Sequence, residues 1–486
     1  MVAEDVLLTR RLAYRALASE RVARGAELTL GVVERVAGRR FAGAAVDRFA
    51  SRVVWSGWPH YVQGWTKLHA SQLYRTLRRR VGRSGSRVVP KRAVTARTGV
   101  WRVGCVGAFR GLLGFQPEFF ERRPNHVELY VYDLQYHGQF ATYLEPLNLQ
   151  YRRVRDENSE GEEEWSDRLA ERVNADQLDV VLNINPKAVS YLVVDRLTVP
   201  CIVQVCTGSE LMYHEKVDFQ IYAQPEAGYR QDGARLVCDV TNRPVGAHRV
   251  MSGSMIYDAR GLERETVAPW NARRPLIVCH GSLYKLHSPP FLRVLARLLQ
   301  DDSSVEMIYA GRDRSQVQHR IEAHFAREGV AGRVHYEGAF DPTRDEQGRV
   351  SDPCWSRLVS HLRAARLAPN PWPIGGGSAR VEAYLLGVPA VHMKLGRAAD
   401  RPHERSLIDL PALSVPSGTA GSEAEYLALC RRCLYDEPFA TRLMHEQRAV
   451  GCGITDPVRY WQQVEHHYCL WRSESRDSVL ASDERQ

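Results

Sequence analysis

Residues 370–393 read NPWPIGGGSARVEAYLLGVPAVHM, running from Asn370 to Met393. Gly375, Gly376, Gly377 and Ser378 make a glycine-rich turn. Ala379 to Leu386 have helical spacing, with Val381, Leu385 and Leu386 apolar and Arg380 and Glu382 polar. Gly387 then stops the helix, and Val388 to Val391 reads as a short buried strand. Glycines let a ligand approach the backbone closely. The amides that open the next helix lack internal partners and carry partial positive charge, so such a turn can hold phosphate. Glu382, one turn into the helix, offers a carboxylate to a sugar or ribose hydroxyl. Taken alone, the stretch reads equally well as a glycine-rich connection in any α/β protein. It is not a Walker loop, which ends in Gly-Lys-Ser/Thr. Nor is it a dinucleotide fingerprint, because Arg380 stands where the third glycine belongs.

A second junction lies upstream. Pro275 to His280 (PLIVCH) is a short apolar strand, followed by the loop Gly281-Ser282-Leu283-Tyr284-Lys285-Leu286-His287. Ser288 reads as the N-cap of a helix that starts at Pro289-Pro290 and continues as FLRVLARLL. Lys285 thus sits near a helix start, where its charge adds to the amide dipole and suits a diphosphate. A single loop lysine is usually a solvated side chain. His280 and His287 flank it.

The order of strand, LYK loop, Pro-containing helix start and then GGGS-x3-E-x4-GVP resembles the C-terminal half of a GT-B glycosyltransferase. More narrowly, it is similar to the catalytic region of the O-GlcNAc transferase family and the related bacterial protein N-glucosyltransferases. The resemblance runs loosely from about Trp101 to about Tyr468. It implies an α/β GT-B fold, in which two Rossmann-like domains face a cleft. It implies that Lys285 contacts the diphosphate of a nucleotide-sugar donor, and Ser282 and Tyr284 in the same loop are read as donor-binding with it. It further implies that Gly377 and Ser378 match the loop that holds phosphate, with Gly375, Gly376 and Arg380 read as donor-binding beside them, and that Glu382, seven residues before Pro389, binds the ribose. The chain departs from the pattern in two ways. The family's paired threonines are Ser378 and Ala379 here, and its Asp is Glu382. The long helical-repeat region that binds protein acceptors in the animal enzymes is missing.

The totals agree with a two-domain protein. The chain has 486 residues, enough for two cores with additions. Its apolar fraction of 44% is that of a soluble globular protein. No window approaches the ~20 apolar residues of a membrane span. Met1 to Leu30 has no apolar run of the kind a signal peptide needs. The ten cysteines are scattered. Cys430 and Cys433 form a CxxC in a helical stretch with no second pair at zinc spacing, so they read as ordinary helix. Cys105, Cys201, Cys206 and Cys279 lie in strand-like runs and suit a reducing cytoplasm. The first hundred residues hold 20 basic and 6 acidic residues, a surplus of 14 against a total of +9, so the remainder carries −5.

In chain order, residues 1–97 read as a basic, mainly helical accessory region. It has an aromatic cluster (Trp55, Trp58, Tyr61, Trp65) and an arginine run from Arg75 to Arg83. Its arginines either face solvent or form a surface for an acceptor or anionic lipid; no nucleic-acid motif is present. Residues 98–257 read as a βαβ acceptor domain with strands at Trp101–Val106, Val127–Tyr132, Asp179–Ile184, Cys201–Cys206 and Asp218–Ala223. Its ligand loops are expected at Gly107–Gly114, Asn185–Ala188 and Thr207–Glu215, with Arg110 and Gly111 in the first. Residues 258–274 read as a linker. Residues 275–472 read as the donor domain with a closing helix near Asp456–Tyr468, of the kind that in GT-B proteins crosses back onto the first domain. Residues 473–486 read as a disordered tail.

The reaction implied is hexosyl or N-acetylhexosaminyl transfer from a nucleotide sugar, with UDP-sugars favoured. The donor is a substrate, and no cofactor is expected. No DxD-type pair follows a strand, which favours metal independence. Ile374 stands where the commonest retaining GT-B enzymes carry glutamate, which favours inversion. Inversion calls for a proton acceptor. His214, beside Glu210 and Glu215, is the first candidate, with an ordinary surface histidine as the alternative; His137 and His126 are weaker. Two other functions use the same features. One is a nucleotide-sugar epimerase; the other is a non-catalytic GT-B-like protein acting through its basic N-terminal region.

Overall fold

The computed structural model describes residues 89–93, 99–107, 117–133, 149–153, 162–184, 188–206, 214, 216–222, 229–232, 235–238, 244–245, 250–252, 259, 261–313, 316–341, 350–372, 375–394 and 413–483. The expectations for residues 1–88, and those for Arg110, Gly111, His137, Glu210 and Glu215, lie outside them. The described chain divides into two compact units.

The first unit holds a seven-stranded parallel sheet in the order β10-β6-β5-β4-β1-β2-β3. Its central strands are β1 (Trp101–Gly107), β2 (Val127–Asp133), β4 (Val180–Ile184) and β5 (Cys201–Cys206). They are mostly apolar, each interrupted by a polar residue (Arg102, Glu128, Asn183 and Gln204), because helices cover both faces of a parallel sheet. β6 (Phe219–Tyr222) and β10 (Val250–Ser252) extend one side, and β3 (Gln150–Arg153) closes the other. All five expected strands form, each within a residue or two of its sequence boundary. β3 was not expected, because Gln-Tyr-Arg-Arg has no apolar alternation and forms only against the edge of β2. A small antiparallel sheet of β7 (Tyr229–Asp232), β8 (Arg235–Cys238) and β9 (Pro244–Val245) was also unforeseen.

The helices of this unit are α1 (Pro117–Glu121), α2 (Glu162–Ala175) and α3 (Ala188–Arg196). The last helix of the chain, Pro457–Asp483, also belongs here. Its Trp461 indole donates to the Phe119 carbonyl at 2.8 Å and stacks on the Phe119 ring at 4.7 Å. Trp471 donates to Asp218 Oδ1 at 3.0 Å. The other Asp218 oxygen accepts from the Ile202 amide at 2.7 Å and pairs with Lys91. The sequence reading ended this helix near Tyr468 and made 473–486 a disordered tail. The helix instead continues to Asp483, since no glycine or proline interrupts it after Pro457.

The second unit has a parallel sheet in the order β13-β12-β11-β14. Its strands are β11 (Arg274–His280), β12 (Glu306–Ala310), β13 (Val334–Tyr336) and β14 (Ala365–Leu367). Among the described residues six helices belong to it: α4 (Leu283–Leu286), α5 (Pro289–Asp301), α6 (Gln318–Arg327), α7 (Pro353–Ala364), α8 (Ser378–Leu385) and α9 (Glu423–Tyr435). A seventh, α10 (Glu437–Ile454), packs behind α8; the terminal Pro457–Asp483 helix of the first unit is α11. The core joins Phe291, Leu295 and Leu299 of α5 to Ile321 and Phe325 of α6 and to Tyr426, Cys430 and Cys433 of α9. The CxxC cysteines are thus buried helix residues with free thiols.

Two expectations are corrected here. Val388–Val391 forms no regular strand, although the Ala368 and Asn370 amides donate to the Pro389 and Val391 carbonyls at 2.9 and 3.0 Å. On its other side the Gln447 side chain takes both the amide and the carbonyl of Ala390, so pairing resumes only at β15 (His392–Met393) against β16 (Thr419–Ala420). The 258–274 stretch is no free linker. Trp270 donates to the Cys433 carbonyl at 2.9 Å, and Arg366 lies over its ring at 3.8 Å. The buried Arg273 guanidinium donates to the carbonyls of Ala365 and Leu386. A polar composition concealed this, because the partners are backbone carbonyls far away in sequence. No described helix is long and apolar enough to cross a membrane.

Successive strands of this sheet end close together. The Gly281 amide donates to the Ala310 carbonyl, and the Gly311 amide to the Gly338 carbonyl. Gly311 has φ +151°, and a Cβ added there would stand 1.6 Å from the Gly281 oxygen. Replacing it with alanine is expected to cost roughly 2–4 kcal/mol in denaturant melts. Gly332→Ala, where nothing lies within 4 Å of an added Cβ, should change stability by less than about 0.5 kcal/mol.

Candidate functional site

In the second sheet the strand order reverses between β11 and β14, which lie side by side. Ligands of open α/β sheets bind outside the carboxyl ends of the strands at such a switch point. Two loops leave from these ends, 281–288 after β11 and 368–377 after β14.

The second loop is anchored before it reaches the glycines. The Asn370 carbonyl accepts from the Tyr426 hydroxyl at 2.8 Å, and its side-chain oxygen accepts from the Gly376 amide at 2.8 Å. Trp372 packs on Phe291 and Tyr426, with ring centroids 5.1 and 4.3 Å away. A Cβ on Gly375 would stand 2.8 Å from the side-chain nitrogen Nδ2 of Asn370, so a side chain there would displace that of Asn370. Gly377 stands at the N-cap position, and α8 opens at Ser378, one residue before the helix start that the sequence reading gave. With the Gly376 amide committed to Asn370, an anion at this turn meets the amides that open α8 at Ser378 and Ala379.

Lys285 lies at the end of the short α4 turn, and its ammonium donates to the Gly375 carbonyl at 3.1 Å. Arg380 Nε donates to the Gly376 carbonyl at 3.3 Å. Two cations therefore hold consecutive carbonyls of the glycine turn. Part of Lys285 remains accessible, yet the protein packed round it and the neighbouring Arg380 guanidinium push its pKa down to about 8. Tyr284 is buried, and Ser282 is half-buried as the residue that starts the turn. Ser288 stands at the N-cap position of α5 as expected, but its buried hydroxyl makes no capping hydrogen bond. Pro289 and Pro290 leave its first turn with few amide donors, so the positive charge on this side rests on Lys285 more than on the helix.

Glu382 is buried, and its Oε2 meets His280 Nε2 at 2.7 Å, with both side chains 3% exposed. His280 is the last residue of β11, so this contact joins the two junctions that the sequence singled out. Behind α8, the Tyr384 hydroxyl donates to the Leu413 carbonyl at 2.7 Å and meets His392 Nε2 at 2.6 Å. Burial holds His392 well below the ordinary histidine range, with Arg380 adding to the effect, so its ring is neutral.

The structure thus brings Lys285, Gly375, Gly376, Gly377, Ser378, Arg380 and Glu382 together at one sheet edge. Two residues that the sequence reading left without a role, Asn370 and His280, tie that edge together. The Asn-Pro step at 370–371 is a turn signal that marks the first. Nothing local marks the second.

His214 lies in the first unit, with no exposed side-chain surface. Its Nε2 meets Asp195 Oδ1 at 3.1 Å, and its Nδ1 accepts from the Lys216 amide at 3.0 Å. One carboxylate on the ring is thus Asp195 of α3, and an acceptor reaches His214 only if its surroundings part. The Lys216 ammonium donates to the carbonyls of Val89, Asp195 and Leu197, closing the end of α3. His126 is exposed and pairs with Glu465 of α11 at 3.1 Å.

No protein-family model matches the sequence, and no curated protein matches it significantly. Solved structures do match. One is a variant of the O-GlcNAc transferase of Thermobaculum terrenum, with TM-score 0.56 and 15% identity over 96% of this chain and 85% of that one. Another is a glycosyltransferase from Rickettsia africae, with TM-score 0.52 and 9% identity over 77% of this chain and 99% of that one. At such identities the likeness is one of fold. The chain has the α/β fold of the GT-B glycosyltransferases.

The depressed Lys285 carries a pH signature. The unfolded chain keeps the ordinary lysine value, so between about 8 and that value it holds a proton the folded protein has shed, and stability rises with pH through this window. Burial raises the thiols of Cys105, Cys279 and Cys433, which lowers the stability of both proteins as pH rises, so the signature is a difference: from pH 7.5 to 10 the urea midpoint of the wild-type protein should gain on that of Lys285→Met.

Proposed function

We propose that the protein transfers a hexosyl or N-acetylhexosaminyl group from a nucleotide-sugar donor, with a UDP-sugar favoured, to an acceptor nucleophile. The observation that carries this is the convergence of Lys285, the turn that opens α8 and the buried Glu382 at the switch point of the second sheet. Each suits one part of a nucleoside diphosphate. The carboxylate accepts from ribose hydroxyls, and the α8 amides and the ammonium face phosphate oxygens.

Transfer breaks the bond between the anomeric carbon and the diphosphate oxygen, and negative charge grows on the leaving group. A lysine and a helix N-terminus already in place neutralise that charge without reorganising at the moment of reaction. Lys285 would exchange the Gly375 carbonyl for a phosphate oxygen, a stronger acceptor because it is charged. The absence of a glutamate at Ile374 supports one displacement with inversion, the acceptor's oxygen or nitrogen entering as the diphosphate leaves. The charge already supplied by the chain supports a reaction without an obligatory metal.

Calorimetric titration with UDP, GDP, dTDP and ADP tests the donor site. UDP is expected to bind selectively, and Lys285→Ala should weaken it by roughly tenfold or more, as loss of a charge-assisted contact does. Failure of all four nucleotides to bind the wild-type protein would overturn this function.

A further inference from the structure

We infer that His280 is the positioning residue that gives the site its selectivity for ribose over deoxyribose nucleotides, acting through Glu382. This rests on the donor-site reading above and adds to it a residue that touches no substrate. A carboxylate buried to 3% exposure needs partners, and an imidazole nitrogen stands against it at 2.7 Å. Hydrogen bonding to Oε2 fixes the plane of the carboxylate, and with it the directions in which the group accepts from a pair of vicinal hydroxyls.

The imidazole is itself confined. It ends β11, whose backbone is locked in register with β12 through His280 and Ala310. Phe340, just beyond β13, lies on it with ring centroids 6.3 Å apart, and Phe340 packs in turn on Trp355 at 5.7 Å. Trp355 belongs to α7 and is buried. Strand, helix and loop therefore converge to orient one hydrogen bond. That is the geometry of a group serving another group's direction. The diphosphate contacts come from different residues, Lys285 and the start of α8. Loss of His280 should therefore touch recognition of the sugar ring of the nucleotide and spare recognition of its phosphates.

The test compares UDP with 2′-deoxy-UDP by calorimetry on the intact protein, or the matching pair for whichever base binds. Wild-type protein is expected to favour the ribonucleotide by roughly tenfold or more, since a site built for a hydroxyl rejects the analogue without it. His280→Leu removes the donor and should bring the ratio near one. His280→Gln places an amide donor where Nε2 stood and should keep most of the preference. Thermal melts establish that each variant is folded, and His280→Phe, with the same expectation as His280→Leu, replaces that variant if it is not. A folded His280→Leu or His280→Phe that keeps the wild-type ratio overturns the role, as does a His280→Gln that loses the ratio. Wild-type protein that binds neither nucleotide removes the donor site and this role with it, whereas a ratio that survives loss of the His280 donor removes this role alone.

Discussion

Asn370 is the constraint on which the rest of the second unit's site depends. One residue joins the end of β14, the 388–391 run, α9 and the glycine turn, through its amide, its carbonyl and its side chain. A glycine-rich turn by itself has many conformations and loses more entropy than other residues on ordering. The Asn370 side chain removes much of that freedom before any ligand arrives. Trp372, packed on Phe291 and Tyr426, fixes the chain between the asparagine and the glycines.

The same economy appears at α8, which is held at both poles. Its amino end rests on the Asn370 loop. At its carboxyl end Arg448 donates to the Leu385 carbonyl and Arg273 to the Leu386 carbonyl. Cations at the negative pole complement the helix dipole. Arg448 also holds the carbonyls of Glu263 and Glu265, so the segment before β11 is tied to the same helix end. A Cβ on Gly451 would come within 2.9 Å of the Tyr384 Cβ, a measure of how closely α10 lies against α8. A rigid helix start is what a site needs if it is to stabilise charge without moving.

In the first unit the comparable junction is Asp218. It gathers a strand amide, an indole from the last helix and an ammonium from the segment before β1. The buried Lys216, His214 and Asp195 finish α3 alongside it. Both junctions place an ionised or polar side chain where several backbone groups would otherwise be buried without partners.

By itself the sequence determined the alternation of strands and helices in both units, the two loop-to-helix junctions and their chemistry. These are local properties: short, mostly apolar segments mark the core strands, and glycine, proline and capping residues mark the turns. Lys285, the glycine turn and Glu382 were legible because a loop lysine, a glycine run and a carboxylate one helical turn on are patterns along the chain. Tertiary structure decided what those residues touch. The edge strand β3, the packing of 258–274 and the course of 388–391 depend on partners distant in sequence, whose pull no local propensity records. The pairing of His280 with Glu382 spans 102 residues. It exists because parallel pairing puts the end of β11 beside the loop that leads from β14 into α8, and only the folded sheet brings those two places together.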